Sequence, residues 1–102
     1  MEELAVVAIV QARTGSTRLR NKIFLDIEGK PLIEHVILRL LPSKKINKIV
    51  IATTENREDD KLENWAKDYS LNIFRGSEKN VLARFYNCAR YYNADIIVRI
   101  TA

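Results

Sequence analysis

Residues 4–22 read LAVVAIVQARTGSTRLRNK, and this stretch decides how the rest of the chain is interpreted. In its first part, Ala5 to Val10 is rich in β-branched residues and shows no alternation of polar and apolar positions. Such a run predicts a strand that is buried on both faces of a sheet. The second part, Gln11 to Lys22, holds four cations and no acid. We therefore predict a basic loop that directly follows a buried strand.

Further along the chain, short apolar runs alternate with segments of helical periodicity. Strands are predicted at Ile49 to Ala52, at Ile73 to Phe74 and at Ile96 to Ile100, the first and last of them buried like the opening strand. Helices are predicted at Pro31 to Leu41, at about Glu58 to Tyr69 and at about Lys79 to Tyr92. This alternation predicts a Rossmann-like three-layer α/β/α fold with a mainly parallel sheet.

The charge of the chain is concentrated in the loop. The 102 residues include 17 bases and 13 acids, which gives a net charge of +4. Arg13, Arg18, Arg20 and Lys22 account for the whole excess. Proteins that bind nucleic acid usually spread their basic residues over a face or a helix, so no nucleic-acid partner is expected. A concentrated spot instead favours a small polyanion, such as the phosphates of a nucleotide.

Two further features restrict the class of protein. No apolar run approaches the ~20 residues of a membrane span, and the first residues lack a signal-peptide pattern, so we expect a cytoplasmic protein with no membrane partner. Cys88 is the single cysteine, which excludes an internal disulfide and a cysteine-based zinc site. It falls in a helix-period series with Val81, Phe85 and Tyr92, which predicts that it packs in the core.

The loop carries groups that suit phosphate. Gly15 lets the backbone enter conformations with positive φ, so that successive backbone N–H groups can point at one anion. Ser16 adds a hydroxyl donor, Arg13 a planar fork for phosphate oxygens and Lys22 a compact charge. The spacings of the P-loop and of the dinucleotide-binding fingerprint are both absent. From the residues alone, a solvated basic loop that pairs with neighbouring acids remains the alternative.

Ligands of parallel α/β sheets bind beyond the carboxyl ends of the strands. Besides the loop, three segments are predicted at this edge: Thr53 and Thr54, Arg75 to Ser77, and Thr101 to Ala102. Thr54 is a candidate for a base or ribose pocket, and capping of the next helix is the alternative.

Two acids and two arginines outside the loop are interpreted as structural. Asp59 and Asp60 could form a metal pair, but charges that favour the N-terminus of the second helix are the preferred interpretation. Arg84 and Arg90 are interpreted as surface charges.

Four segments resemble the cytidylyltransferases that activate sugar acids, a group that includes the 3-deoxy-manno-octulosonate and acylneuraminate cytidylyltransferases. The branch of spore coat polysaccharide biosynthesis protein F is the most similar. The segments are AIVQARTGSTRLRNKIFLDIEGKPLIEHVILRL (8–40), IVIATTENREDD (49–60), FRGSEKNVLARFY (74–86) and ADIIVRITA (94–102), which together span most of the chain. The loop pattern A-R-x-G-S-x-R-L…K with the following G-K-P-L-I-x-H is the most specific part.

The resemblance implies transfer of CMP from CTP to a sugar or sugar acid, with release of pyrophosphate, in the synthesis of surface polysaccharide. CTP and the acceptor sugar are the implied partners. The implied fold is of the nucleotide-diphospho-sugar transferase type. Residues 1–102 would be the N-terminal nucleotide-binding part of a single domain, cut short after its fourth strand.

The resemblance also assigns roles to residues of this sequence. Arg13, Ser16 and Lys22 fall on the positions that hold the triphosphate, with Arg13 and Lys22 serving catalysis and Arg18 in support. Arg20 departs from the family pattern, because many relatives have proline there, and this should loosen the loop without removing a phosphate ligand. The positions where the family grips the cytidine are matched by Gln11, Ala12, Arg75, Gly76 and Ser77.

Magnesium is the implied cofactor. In the family, an aspartate that binds the metal follows the position of Ala102, so little catalysis is expected from residues 1–102 alone. An exposed sheet edge favours self-association, which makes a homodimer an expected partner.

Two other functions are weighed. A nucleotide-sugar glycosyltransferase would share this type of nucleotide-binding half, but the D-x-D metal motif that would support it does not occur. A small basic module that binds nucleic acid would need cations spread over a face with exposed aromatic residues. Here the excess cations are confined to one loop.

Overall fold

The computed structural model describes residues 4–15 and 21–102. In these residues the elements are β1 (Val6–Gln11), β2 (Asp26–Ile27), β3 (Lys30–Pro31), α1 (Leu32–Leu40), β4 (Lys48–Thr54), α2 (Asp60–Asp68), β5 (Asn72–Gly76), α3 (Val81–Tyr91) and β6 (Ile96–Thr101). Short 3-10 helices, Lys22–Phe24 and Arg57–Asp59, precede β2 and α2. The three predicted helices and the four predicted strands are confirmed, and their ends shift by at most two residues.

The four longer strands form one parallel sheet in the order β5-β4-β1-β6. β1 is central, since Val10 lies opposite Ile51 of β4 and opposite Ile100 of β6. The chain runs outward from β1 to β4 and β5, and then crosses to the other side of β1 to form β6. The strand order therefore reverses between β1 and β6, and the predicted parallel α/β fold is confirmed.

Alternation along β1 builds two cores, because successive side chains of a strand point to opposite faces. Val10 and Ala12 pack with residues of α1 and α2, whereas Val7 and Ile9 pack with residues of α3. Two helices thus cover one face of the sheet and one helix covers the other, which gives the predicted three layers. Within the described ranges, no helix combines the length and apolar character needed to cross a membrane.

Cys88 lies in the core on the α3 side of the sheet, as predicted, and is fully buried. Burial raises the pKa of its thiol from 9.0 to about 11. The neutral thiol is therefore the form that the fold favours, and Cys88 behaves as a small apolar side chain.

The sequence prediction lacks one element, the short antiparallel hairpin of β2 and β3. Ile27 pairs with Lys30, and the turn between them places Glu28 at φ 53° and Gly29 at φ 86°. Positive φ at both turn residues is what a tight two-residue hairpin requires. The signal in the sequence is weak because Gly29 follows Glu rather than Asn or Asp, and because strands of two residues show no period.

The prediction that Ile96 to Ile100 is buried on both faces is wrong. β6 lies at one edge of the sheet, and Ile96 and Ile97 are 44% and 39% exposed. An apolar run indicates that a strand forms, but it does not tell whether other elements cover that strand.

Candidate functional site

A cavity of about 230 Å³ opens beyond the carboxyl ends of β1 and β6, where the strand order reverses. Open α/β sheets bind their ligands in this crevice. The lining residues come from the end of β1, the loop after it, α3 and the end of β6: Gln11, Ala12, Arg13, Lys22, Ile23, Val81, Arg84, Thr101 and Ala102. Four predicted site residues therefore share one cavity, namely Gln11, Ala12, Arg13 and Lys22.

A backbone hydrogen bond explains how Arg13 and Lys22 come together. The N–H of Asn21 donates to the carbonyl oxygen of Thr14 at 2.9 Å. This bond closes the base of the loop, so the residues just before and just after it lie at the same cavity. Two other predicted ligands, Ser16 and Arg18, lie outside the described residues.

Asp59 holds the start of the loop in place. Its side chain is fully buried, and Oδ1 accepts hydrogen bonds from the N–H of Thr14 at 2.7 Å and from the Thr14 hydroxyl at 2.9 Å. Oδ2 accepts a bond from the hydroxyl of Thr54, the last residue of β4. We call these hydrogen bonds the Asp59 anchor. The predicted role of Asp59, a charge that favours the N-terminus of α2, does not include them. Its partner Thr14 is 45 residues away, so no local pattern could reveal it.

The backbone at Gly15 does not use the positive φ that glycine allows. The φ of Gly15 lies outside the left-handed region. A Cβ atom there would instead overlap the carboxylate of Glu58. That carboxylate is the far end of an exposed and flexible side chain, which can rotate away, so the contact does not by itself require glycine.

The side chain of Arg75 is held by the protein itself. Nε donates to the carbonyl oxygen of Thr54 at 2.8 Å, and Nη2 donates to that of Asn56 at 2.6 Å. Nη1 pairs with Asp60 at 2.6 Å and with Glu63 at 2.9 Å. Burial opposes the charged form, but the two carboxylates outweigh it and raise the pKa of Arg75. Arg75 thus ties β4 to α2, and its predicted contact with cytidine stays a prediction.

The pair between Arg75 and Glu63 predicts a loss of stability in acid. Hydrogen bonds from Arg75 and Lys67 lower the pKa of Glu63 below its ordinary value of 4.5. The unfolded state therefore binds this proton more readily, and the stabilisation is complete above about pH 4.5 and is lost as the pH falls through the lowered value. Because Glu63 is partly exposed, we expect a contribution of about 0.5–1 kcal/mol.

Urea unfolding of the wild type and of Glu63→Gln, measured from neutral to acid pH, tests this expectation. The difference in the free energy of unfolding should be largest at neutral pH and should vanish at the acid end. A difference that stays constant over the whole range would contradict it.

Gly76 and Ser77 line a second and more open cavity, of about 480 Å³, at the end of β5. Arg75 and Asn56 also line it, so the predicted cytidine-binding turn lines a different cavity from Gln11, and Arg84 connects the two through its contacts with Gly76 and Ser77. Thr54 lines neither cavity. Its hydroxyl belongs to the Asp59 anchor, and its predicted contact with a base or ribose stays a prediction.

The interpretation of Arg84 as a surface charge is wrong. Arg84 is only 4% exposed, and its stem packs against Gly76, where a Cβ atom would come within 2.9 Å of Arg84 Cγ. Sequence reasoning could have found it from its spacing, because Arg84 lies four residues before Cys88 and so on the same face of α3. Arg90, by contrast, is exposed as predicted.

The first cavity is cationic. Arg13, Lys22 and Arg84 line it, and no carboxylate side chain does so among the residues with described positions. Magnesium prefers oxygen ligands, with carboxylates foremost. In residues 4–15 and 21–102, no group of three His, Cys, Asp or Glu could hold a metal ion. The described residues fit an anion and do not fit magnesium, and the metal ligand expected after Ala102 stays a prediction.

Fold and cavity together define an α/β protein with a cationic cavity at the point where its strand order reverses. The chain belongs to the cytidylyltransferase family, since the family model described as cytidylyltransferase matches residues 7–102. The resemblance that the sequence motifs indicated is therefore confirmed.

The chain spans about 40% of the length of two curated relatives that it matches. An uncharacterised protein of Methanocaldococcus jannaschii is 45% identical over 98 residues, which cover 96% of this chain and 40% of that protein. Spore coat polysaccharide biosynthesis protein SpsF of Bacillus subtilis is 34% identical over 100 residues, which cover 94% of this chain and 42% of that protein.

Two solved structures share the fold. A cytidylyltransferase from Leptospira borgpetersenii superposes with a TM-score of 0.89 at 40% identity, over 97% of this chain and 42% of the other. CMP:2-keto-3-deoxy-manno-octonic acid synthetase, solved in complex with CTP, superposes with a TM-score of 0.80 at 26% identity, over 95% of this chain and 39% of the other.

Proposed function

We propose that the chain binds CTP in the cavity between β1 and β6, as the nucleotide-binding part of an enzyme that transfers CMP to a sugar or sugar acid for surface polysaccharide. The observation that carries this proposal is the bond between Asn21 and Thr14, which brings Arg13 and Lys22 to one cavity at the strand-order reversal. Family membership supports CTP as the nucleotide. The names of the solved synthetase and of SpsF support the sugar acid and the polysaccharide.

The proposed chemistry uses the cations to hold and stabilise phosphate oxygens. Attack at the α-phosphate builds negative charge on its equatorial oxygens and on the leaving pyrophosphate. Arg13 would bind two such oxygens through its planar fork, and Lys22 would act as a point charge beside them. Because the described residues that line the cavity supply cations and no carboxylate side chain, we expect the 102-residue chain to bind CTP with little turnover.

A comparison of four nucleotides tests the proposal by thermal unfolding. CTP at about ten times its Kd should raise the Tm by about 5–10 °C, and UTP, ATP and GTP at the same concentration should raise it less. Arg13→Ala should abolish the effect of CTP. Arg39→Ala is the matched control, because Arg39 is an exposed cation in the last turn of α1, away from the cavity.

Two outcomes would count against the proposal. Equal shifts with all four nucleotides would refute specificity for cytidine, and the absence of any shift would refute the nucleotide site itself. An equal loss of the CTP effect in Arg13→Ala and Arg39→Ala would refute the assignment of Arg13.

A further inference from the structure

Two buried side chains in the wall of the cationic cavity have donors for which the described residues supply no acceptor. Arg84 is 4% exposed and Gln11 is 6% exposed. Within the described residues, neither the Arg84 Nε–H nor the Gln11 amide nitrogen has a hydrogen-bond partner. Buried polar groups of folded proteins are nearly always hydrogen-bonded. Two such donors at one cavity therefore indicate a ligand that supplies the acceptors.

In the part of the chain that the structure describes, Arg84 also lacks a counter-ion. Among residues 4–15 and 21–102, its guanidinium forms no ion pair with a carboxylate. Burial lowers the pKa of Arg84, the charge of Arg13 lowers it further, and the charge of Asp59 opposes these effects only in part. A buried cation without a partner is unfavourable, so the fold keeps a positive charge where its own groups disfavour it.

A purely structural role does not account for this arrangement. The Nη1 group of Arg84 donates to the carbonyl oxygen of Ser77 at 2.9 Å, which joins α3 to the turn after β5. Gly76 leaves the space in which the stem of Arg84 packs. These contacts fix the position of the side chain, but neither Arg84 Nε nor the amide nitrogen of Gln11 finds a partner among residues 4–15 and 21–102.

We infer that Gln11 and Arg84 form a second anion-binding position in the cavity, distinct from the loop cations, which takes an anionic oxygen through the amide and the guanidinium. A charged donor and a neutral donor that line the same cavity suit an oxygen atom with two lone pairs. The ligand class is an oxyanion, either a phosphate of the nucleotide or the carboxylate of a sugar acid. The inference rests on the proposed function only for the source of that oxygen.

A matched pair of substitutions on α3 tests the inference. Arg84→Met and Arg90→Met each remove one positive charge and keep a long side chain, but Arg90 is exposed and lies against the ring of Tyr86 at 5.8 Å. Titration calorimetry on the full chain uses four probes: CTP, inorganic tripolyphosphate, 3-deoxy-manno-octulosonate and neutral cytidine. Arg84→Met should weaken the binding of at least one anionic probe about tenfold to hundredfold, and Arg90→Met should bind all probes like the wild type.

The anionic probes identify the source of the oxygen. Weaker binding of both CTP and tripolyphosphate assigns the position to a phosphate, and weaker binding of the sugar acid alone assigns it to a carboxylate. Because Arg84→Met also removes the bond to Ser77 and could destabilise the fold, Gln11→Leu is the second variant. It removes the amide at similar volume and should weaken the same probe about tenfold.

The inference and the proposed function fail in different ways. Unchanged affinity for every anionic probe in whichever of the two variants folds would overturn the inference, and so would a wild type that binds none of these probes. A wild type that binds tripolyphosphate or the sugar acid through Arg84, but does not bind CTP, would overturn the proposed function and support the inference.

Discussion

Replacing Asp59 with alanine is expected to lower the free energy of unfolding by about 3 kcal/mol, because buried donors lose their acceptor. Those donors are the N–H of Thr14 and the hydroxyl of Thr54, both in fully or almost fully buried residues that water does not reach. The hydroxyl of Thr14 keeps a second acceptor in the carbonyl oxygen of Glu58, at 3.0 Å. A domain of this kind is stabilised by about 5–15 kcal/mol in total. The loss would therefore be a large fraction of its stability.

Two further variants show whether the buried anchor causes this loss. Asp59→Asn keeps an oxygen for the Thr14 N–H but places an NH₂ group against the Thr54 hydroxyl, and it should cost about 1 kcal/mol. Asp60→Ala removes the next carboxylate, which is exposed and pairs with Arg75, and it should also cost at most about 1 kcal/mol. Urea unfolding followed by circular dichroism measures all three. Equal losses for Asp59→Ala and Asp60→Ala would contradict the anchor.

Much of the fold is predictable because burial leaves local traces in the sequence. A central parallel strand is covered on both faces and so forms an uninterrupted apolar run, as Ala5 to Val10 does. Helix α1 shows its buried side through Ile33 and Ile37, which recur at helical spacing. Strand order and edge exposure leave no such trace. They depend on pairings between distant segments, such as Val10 with Ile100.

The residues of the candidate site are likewise predictable only in part from the sequence. The cations of the loop are close together in the sequence and follow a buried strand, which predicts a position at the carboxyl edge of the sheet. Arg13 and Lys22 line the cavity there. The contacts of Asp59 and Arg84 cannot be predicted from local sequence, because their partners are distant in the sequence or belong to another element. Charged side chains are seldom fully buried, and this general rule favoured a surface position for Arg84 over the burial that its spacing with Cys88 indicates. The space beside Gly76 shows how the fold accommodates the buried side chain.

The second large effect is expected at Gly76. A Cβ atom there would lie 2.9 Å from Cγ, 3.3 Å from Cβ and 3.4 Å from Cα of Arg84. Rotation of the Arg84 side chain can move Cγ, but it cannot move Cβ, because the backbone of α3 fixes the position of that atom. The helix must move away from β5, and Gly76→Ala should lower the free energy of unfolding by about 2 kcal/mol.

Gly15→Ala is the matched control for this substitution. The new Cβ atom would there meet the carboxylate of Glu58, the far end of an exposed and flexible side chain that can rotate away. We expect a cost below about 0.5 kcal/mol, measured by urea unfolding of both variants. Equal costs would show that the approach of α3 does not select glycine at position 76. We also expect Gly76→Ala to weaken CTP binding more than Gly15→Ala does, because a displaced α3 moves Arg84 away from the cavity that it lines.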